Sequence, residues 1–366
     1  MDLDVLIVGG GPAGISTWLH LHKLAPEIAA RSALIEKAAF PRENVCGGGV
    51  TWPGNLLLDE LDIEIESPSA AVHRVEFRFG EKRETLRARD AIQVVRRLDF
   101  DHELVRIATE RGLALSEGET LQGLSLENGW AVAETDRGRH RARVVVGADG
   151  AHSTVRSLAG LSNRGHLARL LKVVGPAKGG PADPERTTVL FDFTRATAAL
   201  QGYFWRFPCF EGGEPATDWG LYDSRIDAGR PRADLRAIFE AELVAAGADT
   251  RAQSWKSHPV RRFDVEGALA APNVILVGDA AGVDPILGEG ISPSLEYGEI
   301  AARALLEAFE DGDFSMGEYR DVLFGYRLGN SLRRRTELAQ ELYASGAAGL
   351  EAMQGILREW IAEGLP

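Results

Sequence analysis

The chain is poor in cysteine and in basic residues, and both shortages exclude classes of protein. Its 366 residues include two cysteines, Cys46 and Cys209, too few for a disulfide framework or a zinc site. Lys and Arg number 41 against 54 Asp and Glu, so the net charge is −13. Such an acidic chain is poorly suited to nucleic acid or to an anionic membrane surface. We therefore expect no nucleic-acid partner and no metal centre.

Long apolar runs are also missing. No segment of the sequence approaches the roughly 20 consecutive apolar residues of a membrane-spanning helix. The first residues carry no basic stretch followed by an apolar core, as a secretory signal would, and residues 3–8 already have the pattern of a buried strand. The sequence therefore predicts no transmembrane segment and a reducing, cytoplasmic location.

Glycine, by contrast, is abundant. The chain has 41 glycines, whereas average usage is about 7%. Hydrophobic residues make up 45% and charged residues 26%, the balance of an ordinary globular protein. At roughly 150 residues per domain, this length predicts two domains or one large discontinuous one. The excess of glycine indicates many tight backbone turns, which cofactor-binding folds use.

The N-terminal elements follow the order of a dinucleotide-binding βαβ unit. The apolar strand at 3–8 ends in a glycine-rich turn, residues 13–24 have helical periodicity, and a second strand at 33–35 is closed by Glu36. This order is the structural context that the glycine fingerprint requires. The glutamate suits a free ribose diol and would repel a 2′-phosphate, which fits NAD or the AMP half of FAD.

Each glycine of the fingerprint Gly9-x-Gly11-x-x-Gly14 has its own physical reason. Gly9 permits the tight turn, Gly11 lets the backbone approach a pyrophosphate, and Gly14 allows the helix to pack closely. The N-terminus of that helix supplies amide donors and a partial positive charge. The segment therefore predicts dinucleotide binding.

Three later segments favour FAD over NAD. Gly147–Arg156 (GADGAHSTVR) resembles the GADGxxSxVR segment of FAD-dependent aromatic hydroxylases and their relatives. Val277–Gly282 (VGDAAG) resembles the second FAD fingerprint of that superfamily, which implies that Asp279 holds the ribityl chain. Gly288–Ile291 (GEGI) would bring backbone amides and a helix N-terminus to the flavin.

Two further segments point to one family within this superfamily. Phe40–Gly49 (FPRENVCGGG) is similar to the FPRxKxCGGG stretch of the geranylgeranyl reductase family. Gly202–Pro208 (GYFWRFP) is similar to the YxWxFP motif of that family's substrate domain. The sequence is accordingly identified as a member of the geranylgeranyl reductase family of FAD-dependent oxidoreductases.

The resemblance implies an α/β fold. It predicts a Rossmann-type FAD-binding domain (GR2/aromatic-hydroxylase-like) with an inserted mixed-β-sheet substrate domain and C-terminal helices. The expected FAD-binding domain is discontinuous, and the expected bounds are 1–70, 92–160 and 264–320 for that domain, 71–91 and 161–263 for the β-rich substrate domain, and 321–366 for the C-terminal helical segment.

The motifs also supply the candidate site residues. By the resemblance, Cys46 lies beside the flavin ring, where its thiol could tune the flavin, donate a proton or simply pack. Arg97 or its neighbour Arg96 would reach FAD from the following helix, depending on register, and we take Arg97. The cofactor-binding candidates are Gly9, Gly11, Pro12, Ala13, Gly14, Glu36, Lys37, Arg42, Cys46, Gly47, Gly48, Arg97, Asp149, Gly150, Gly278, Asp279, Pro285, Gly288, Gly290 and Ile291.

Three aromatic side chains alternate along one predicted strand. Tyr203, Trp205 and Phe207 would share one face of it. They either line an apolar pocket over the flavin or form plain core. The catalytic candidates are therefore Cys46, Tyr203 and Trp205, with Trp52 and Tyr297 as weaker pocket candidates. We read His73, His140 and His258 as structural or surface residues, and 333–335 as a solvated helix face or an interface.

Four functions remain open at this point. The family implies that reduced FAD reduces a carbon–carbon double bond of an apolar, isoprenoid-like substrate. The alternative is a class A flavin monooxygenase that hydroxylates an aromatic or electron-rich small molecule; a flavin halogenase or an FAD-bound sensor ranks lower. No second nucleotide fingerprint is present, so NAD(P)H would visit the flavin transiently, or a ferredoxin or reductase partner would donate electrons. We expect a monomer or homodimer.

Overall fold

A computed structural model describes residues 2–162, 167–180, 182–197, 200–248 and 254–344. Short 3₁₀ turns lie at Pro184–Thr187, Thr194–Thr197 and Gly278–Ala280. The helices and strands, in chain order, are β1 Asp2–Val8, α1 Pro12–Leu24, α2 Pro26–Ala29, β2 Ala33–Glu36, β3 Gly49–Thr51, α3 Trp52–Glu60, β4 Ser69–Phe79, β5 Lys82–Val95, α4 Arg97–Glu110, β6 Ala114–Glu117, β7 Leu121–Glu127, β8 Trp130–Thr135, β9 Gly138–Gly147, α5 Thr154–Leu158, β10 Leu167–Pro176, β11 Thr188–Asp192, β12 Gly202–Glu211, β13 Glu214–Asp223, α6 Leu235–Ala245, β14 Lys256–Arg261, β15 Ala270–Ala271, β16 Val274–Leu276, α7 Ile291–Asp311, α8 Tyr319–Gly325 and α9 Arg327–Ala344.

The first sheet carries the predicted nucleotide-binding unit. Its order is β15-β16-β9-β1-β2-β6, with β8 and β7 continuing from β9. Strands β1, β2, β6, β9 and β16 pair in parallel. Both faces of β1 are covered, so Val5, Leu6 and Ile7 are fully buried, as expected for a parallel strand of uniformly apolar residues. The strand at 274–276 thus joins the N-terminal βαβ unit, although 265 residues separate it from the end of β1.

The second sheet runs in the order β14-β10-β13-β12-β11-β4-β5-β3. Its neighbours are antiparallel except for β11 and β4, which pair in parallel. One face packs on α6, where Phe204 contacts Phe239 at a ring-centroid distance of 6.2 Å. The alternation along β12 turns Tyr203, Trp205 and Phe207 to the opposite face.

The C-terminal helices extend across both sheets. Helix α7 packs against α1 of the first unit, whereas Ala339, Leu342 and Tyr343 of α9 belong to the apolar core of the second sheet. Residues 345–366 of the expected C-terminal helical segment lie outside the described residues. In the described part of the chain, no helix is both long enough and apolar enough to cross a membrane.

The mixed α/β architecture predicted from the sequence is confirmed. We propose that the two sheets mark the FAD-binding and substrate domains. The second sheet extends beyond the expected substrate-domain segment 71–91, because β3 and the last residues of β5 also pair within it. Since Cys46 lies three residues before β3, the loop that carries it leads from the nucleotide-binding unit into the second sheet.

Candidate active site

The turn between β1 and α1 leaves no room for side chains. Gly9 has a φ of +109°, and a Cβ there would lie 2.4 Å from the carbonyl oxygen of Ala148. A Cβ on Gly14 would lie 2.0 Å from the carbonyl oxygen of Gly9. Helix α1 begins at Pro12, so its first amides point out of the turn. The backbone therefore forms a cradle at a helix N-terminus, the usual site for a phosphate group.

A buried carboxylate closes the end of β2. Glu36 is 5% exposed, and its Oε2 and Oε1 accept hydrogen bonds from the amides of Gly10 and Ala38 at 2.8 and 3.0 Å. The guanidinium of Arg42 lies 3.6 Å from Glu36 and 3.4 Å from Asp101. Its Nε is buried and has no hydrogen-bond partner among the described residues. The cradle thus holds an acid for ribose hydroxyls and a cation with an unused donor.

Arg97, the first residue of α4, shares the carboxylate of Asp101 with Arg42. It donates to both carboxylate oxygens of Asp101, at 2.6 and 2.8 Å. Burial alone would lower the pKa of Arg97, but Asp101 and the nearby Cys46 sulfur hold that pKa above its ordinary value. Arg96 instead pairs with surface acids of other segments. Of the two arginines between which the sequence does not decide, Arg97 therefore lines the cavity and Arg96 does not.

The loop Cys46–Gly48, called here the Cys46 loop, is tightly constrained. Gly48 has a φ of +83°, and a Cβ there would lie 2.0 Å from the carbonyl oxygen of Val95. The amide of Gly48 donates to the Cys46 sulfur at 3.4 Å. A Cβ on Gly47 would touch the Phe207 ring at 3.1 Å. Gly48 therefore lets the loop lie close to the backbone of β5, and Gly47 lets it lie directly against the aromatic strand β12.

The aromatic side chains of β12 form one wall of the site. The Tyr203 hydroxyl donates to the carbonyl of Leu287, and the Trp205 indole donates to Asp218 at 3.0 Å. The Phe191 ring packs against Tyr203 and against Phe207, with both centroid distances at 5.2 Å. The polar atoms of Tyr203 and Trp205 are thus already bonded within the protein, and their rings contribute apolar surface to the cavity.

A single cavity of about 990 Å³ joins the cradle, the Cys46 loop and the aromatic wall. Three of the predicted residues, Gly14, Gly278 and Pro285, do not line it. A Cβ on Gly278 would lie 2.7 Å from Ala13, so Gly278, like Gly14, allows close packing of α1. The roles of the site residues stay predictions, and those that line the cavity are Gly9, Gly11, Pro12, Ala13, Glu36, Lys37, Arg42, Cys46, Gly47, Gly48, Arg97, Asp149, Gly150, Tyr203, Trp205, Asp279, Gly288, Gly290 and Ile291.

Comparison with known proteins identifies the family of this chain. The family described as FAD binding domain matches residues 2–309. Digeranylgeranylglycerophospholipid reductase 2 of Methanopyrus kandleri is 30% identical over 330 residues, which cover 86% of this chain and 80% of that protein. The chain belongs to the geranylgeranyl reductase family. It is therefore an FAD-dependent oxidoreductase, as the sequence predicts.

Solved structures share the fold. A geranylgeranyl bacteriochlorophyll reductase-like protein from Thermoplasma acidophilum superposes with a TM-score of 0.77 at 23% identity, covering 93% of this chain and 88% of that one. A mutant of the halogenase PltM in complex with FAD gives a TM-score of 0.72 at 16% identity, covering 94% and 76%. At these identities the likeness concerns the fold alone.

The geometry of this family member fits FAD. The backbone cradle at Gly11, the unused Nε of Arg42 and the carboxylate of Glu36 match a pyrophosphate and an adenosine ribose. Two further carboxylates lie at the carboxyl ends of β9 and β16. Asp149 caps α5 by accepting from the amide of Thr154 at 2.6 Å, whereas Asp279 faces the cavity and would accept ribityl hydroxyls.

The pH dependence of FAD affinity tests the role of Asp279. Burial raises the pKa of this carboxyl from 3.8 to about 6, although Arg97 and Arg261 act in the opposite direction. Ribityl hydroxyls that donate to the ionised carboxylate would lower this pKa, so FAD and protons compete. We expect the Kd for FAD to rise as the pH falls through about 6. Fluorescence titrations should show this rise, and Asp279→Asn should flatten it; a pH-independent Kd would contradict the assignment.

Two features of the lining differ from what the sequence predicts. His258 was expected to be structural or on the surface, yet it lines the cavity, and burial lowers its pKa, as do Arg97 and His152. Residues 333–335 were expected to be a solvated face or an interface, but Arg335 pairs with Asp284 at 3.1 Å and with Glu289 at 2.8 Å. Such contacts join elements that are far apart in the chain, so no local spacing of residues predicts them.

The weaker candidates Trp52 and Tyr297 do not line the cavity. A glycine of β13, Gly220, contacts the site but belongs to none of the predicted motifs. Trp52 is 45% exposed, and Tyr297 is buried, donating to the carbonyl of Gly282 at 2.9 Å. Gly220 of β13 pairs with Trp205 of β12, and a Cβ on it would lie 1.9 Å from the indole. A glycine inside a strand is the sequence signal for such a close approach.

Proposed function

We propose that this family member uses reduced FAD to reduce a carbon–carbon double bond of an apolar, isoprenoid-like substrate. One observation carries the proposal: the cavity runs from the FAD cradle to a wall of apolar side chains on the second sheet. Outside β12, this wall includes Tyr222 of β13 and apolar residues of β4, β5 and β11, namely Val75, Phe77, Leu86, Ile92, Val189 and Phe191. Such a wall stabilises a hydrocarbon chain by removing it from water.

The tyrosines of the wall do not disturb its apolar character. The Tyr203 hydroxyl is bonded to the carbonyl of Leu287, and the Tyr222 hydroxyl donates to the carbonyl of Pro285 at 3.2 Å. Burial raises the pKa of Tyr203 well above its ordinary value, so the phenol stays neutral. We therefore assign Tyr203 and Trp205 to shaping the pocket and excluding water, and proton donation to another group.

Cys46 is the group that we assign to proton donation. Reduced FAD, when bound, would supply the hydride. The Cys46 thiol would donate its proton to the alkene carbon that does not receive the hydride. The thiolate left behind lies beside the Arg97 guanidinium, which stabilises negative charge. Solvent then returns the proton to Cys46. The substrate gains two hydrogens in all, and NAD(P)H or a protein donor restores the reduced cofactor.

Charged residues of α7 and α9 complete the lining and support an amphiphilic substrate. Glu296 and Arg327 form an ion pair at 2.7 Å, and Arg334 also lines the cavity. A polar head could bind near these side chains while an apolar chain occupies the wall described above. The Methanopyrus relative is named as a reductase of a digeranylgeranyl phospholipid, a molecule with both parts.

The second candidate is a flavin monooxygenase acting on an aromatic substrate. The rings of Phe191, Tyr203 and Phe207 at one cavity wall favour it, because they could stack on a planar substrate. A halogenase is less well supported. Lys37 is the one lysine among the described residues that line the cavity, and it follows Glu36 in the adenosine part of the cradle.

Product analysis separates the two candidates. The enzyme is incubated with a reductant, isotopically labelled oxygen and a prenylated substrate, and the product is examined by mass spectrometry. The proposal predicts a product two hydrogens heavier than the substrate, free of label and formed equally well without oxygen. A labelled hydroxylated product that requires oxygen would establish the monooxygenase instead.

A further inference from the structure

A buried ion pair lies behind the cavity, on strands of the second sheet. Lys172 of β10 is 7% exposed and Asp218 of β13 is 2% exposed. Their ammonium and carboxylate groups are in direct contact. Neither residue belongs to a recognised sequence motif, and neither lines the cavity itself. Burying two charges is costly, and well-packed apolar residues often serve stability as well.

Each member of this pair holds a different part of the site. The Lys172 ammonium donates to the backbone carbonyl of Cys46 at 2.5 Å. The second carboxylate oxygen of Asp218 accepts from the indole of Trp205 at 3.0 Å. One ion pair thus contacts the Cys46 loop through its cation and the aromatic wall through its anion.

We propose that Lys172 and Asp218 are positioning residues that fix the Cys46 loop against the aromatic wall. The contact they hold is close: a Cβ on Gly47 would lie 3.1 Å from Phe207 and 3.4 Å from the Trp205 indole nitrogen. Apolar replacements would leave the Cys46 carbonyl without this donor and the indole without its acceptor. The loop and Trp205 could then move independently, and the distance from the thiol to a substrate on the wall would no longer be fixed.

The same two strands provide a matched control. Arg169 of β10 pairs with Asp223 of β13, and Asp223 is 1% exposed. Arg169 also donates to the carbonyl of Ala233, away from the Cys46 loop. Lys172→Met/Asp218→Leu and Arg169→Met/Asp223→Leu therefore both remove a cross-strand ion pair from this sheet, but only the first releases the loop. If the first does not fold, Lys172→Gln/Asp218→Asn replaces it, because glutamine is too short to reach the Cys46 carbonyl.

The test measures the loop without relying on turnover. Iodoacetamide alkylation of Cys46 is followed by peptide mapping in the FAD-free protein, and the visible circular dichroism of bound FAD is recorded. We expect Cys46 to react about tenfold faster in the Lys172/Asp218 variant, with altered dichroism, while the control variant matches the wild type. Unchanged alkylation and dichroism in the Lys172/Asp218 variant would overturn the proposal.

A kinetic measurement extends the test to catalysis. This part rests on the proposed function. With a prenyl substrate, kcat should fall roughly tenfold to hundredfold in the Lys172/Asp218 variant, because a misplacement of about 1 Å has effects of that size. KM should change much less, and the control variant should keep both constants. A wild type that reduces no alkene would contradict the proposed function, whereas alkylation and dichroism would still decide the role of the ion pair.

Discussion

Replacing Gly11 by alanine should give a folded protein with greatly weakened FAD binding. The backbone at Gly11 has a φ of −79°, which alanine adopts without strain. The nearest atom to a Cβ there is Nη2 of Arg42, at an ordinary contact distance of 3.7 Å. The fold therefore accepts the methyl group, but the cofactor pyrophosphate must approach the backbone at this point. Overpacking by one methyl costs about 1–3 kcal/mol, so the Kd should rise roughly tenfold to hundredfold.

Gly325→Ala is the matched control for this substitution. A Cβ on Gly325, the last residue of α8, would meet no atom within 4 Å. Thermal unfolding and FAD fluorescence titration are measured for both variants. The control should keep the wild-type affinity, and both unfolding midpoints should stay near the wild type. A Gly11→Ala protein with normal affinity would show that the pyrophosphate lies elsewhere.

Replacing Cys46 by alanine should remove the proposed proton donor and leave the cofactor bound. We expect alkene reduction to slow by about a hundredfold or more, since a positioned general acid contributes roughly 10²–10⁴ in rate. The visible spectrum of FAD and its reduction by the electron donor should hardly change. Single-turnover reoxidation of the reduced enzyme by a prenyl alkene measures this step separately.

The second cysteine supplies the control. Cys209 lies on β12, is 3% exposed and does not line the cavity, and burial raises its pKa. Cys209→Ala should reduce the alkene at a rate close to the wild type. If Cys46→Ala is equally active, Cys46 is a packing residue and the proton comes from another group.

The nucleotide-binding half could be predicted because its residues act through local backbone geometry. Gly9 and Gly48 have positive φ angles and approach carbonyl oxygens too closely for any side chain. Because such positions tolerate only glycine, they can be recognised in the sequence as a glycine motif. Glu36 is predictable for a similar reason, because the end of a parallel strand determines where its carboxylate lies.

The substrate side was less accessible to prediction. The apolar wall depends on the parallel pairing of β11 with β4, whose strands begin about 120 residues apart. Arg335 reaches Asp284 only because α9 lies over the second sheet. Lys172 and Asp218 occupy ordinary strand positions, and only the tertiary structure brings them to the Cys46 loop. Side chains that act across such distances have no spacing rule in the sequence.

Anaerobic reoxidation of the reduced enzyme tests the central claim most directly. The FAD-loaded protein is reduced without oxygen and mixed in a stopped-flow spectrometer with a prenyl alkene, and in a parallel run with oxygen alone. We predict rapid return of the oxidised FAD spectrum with the alkene, a saturated product, and a slow reaction with oxygen. No reoxidation by any prenyl alkene, together with a fast oxygen reaction and oxygenation of an aromatic substrate, would contradict the account.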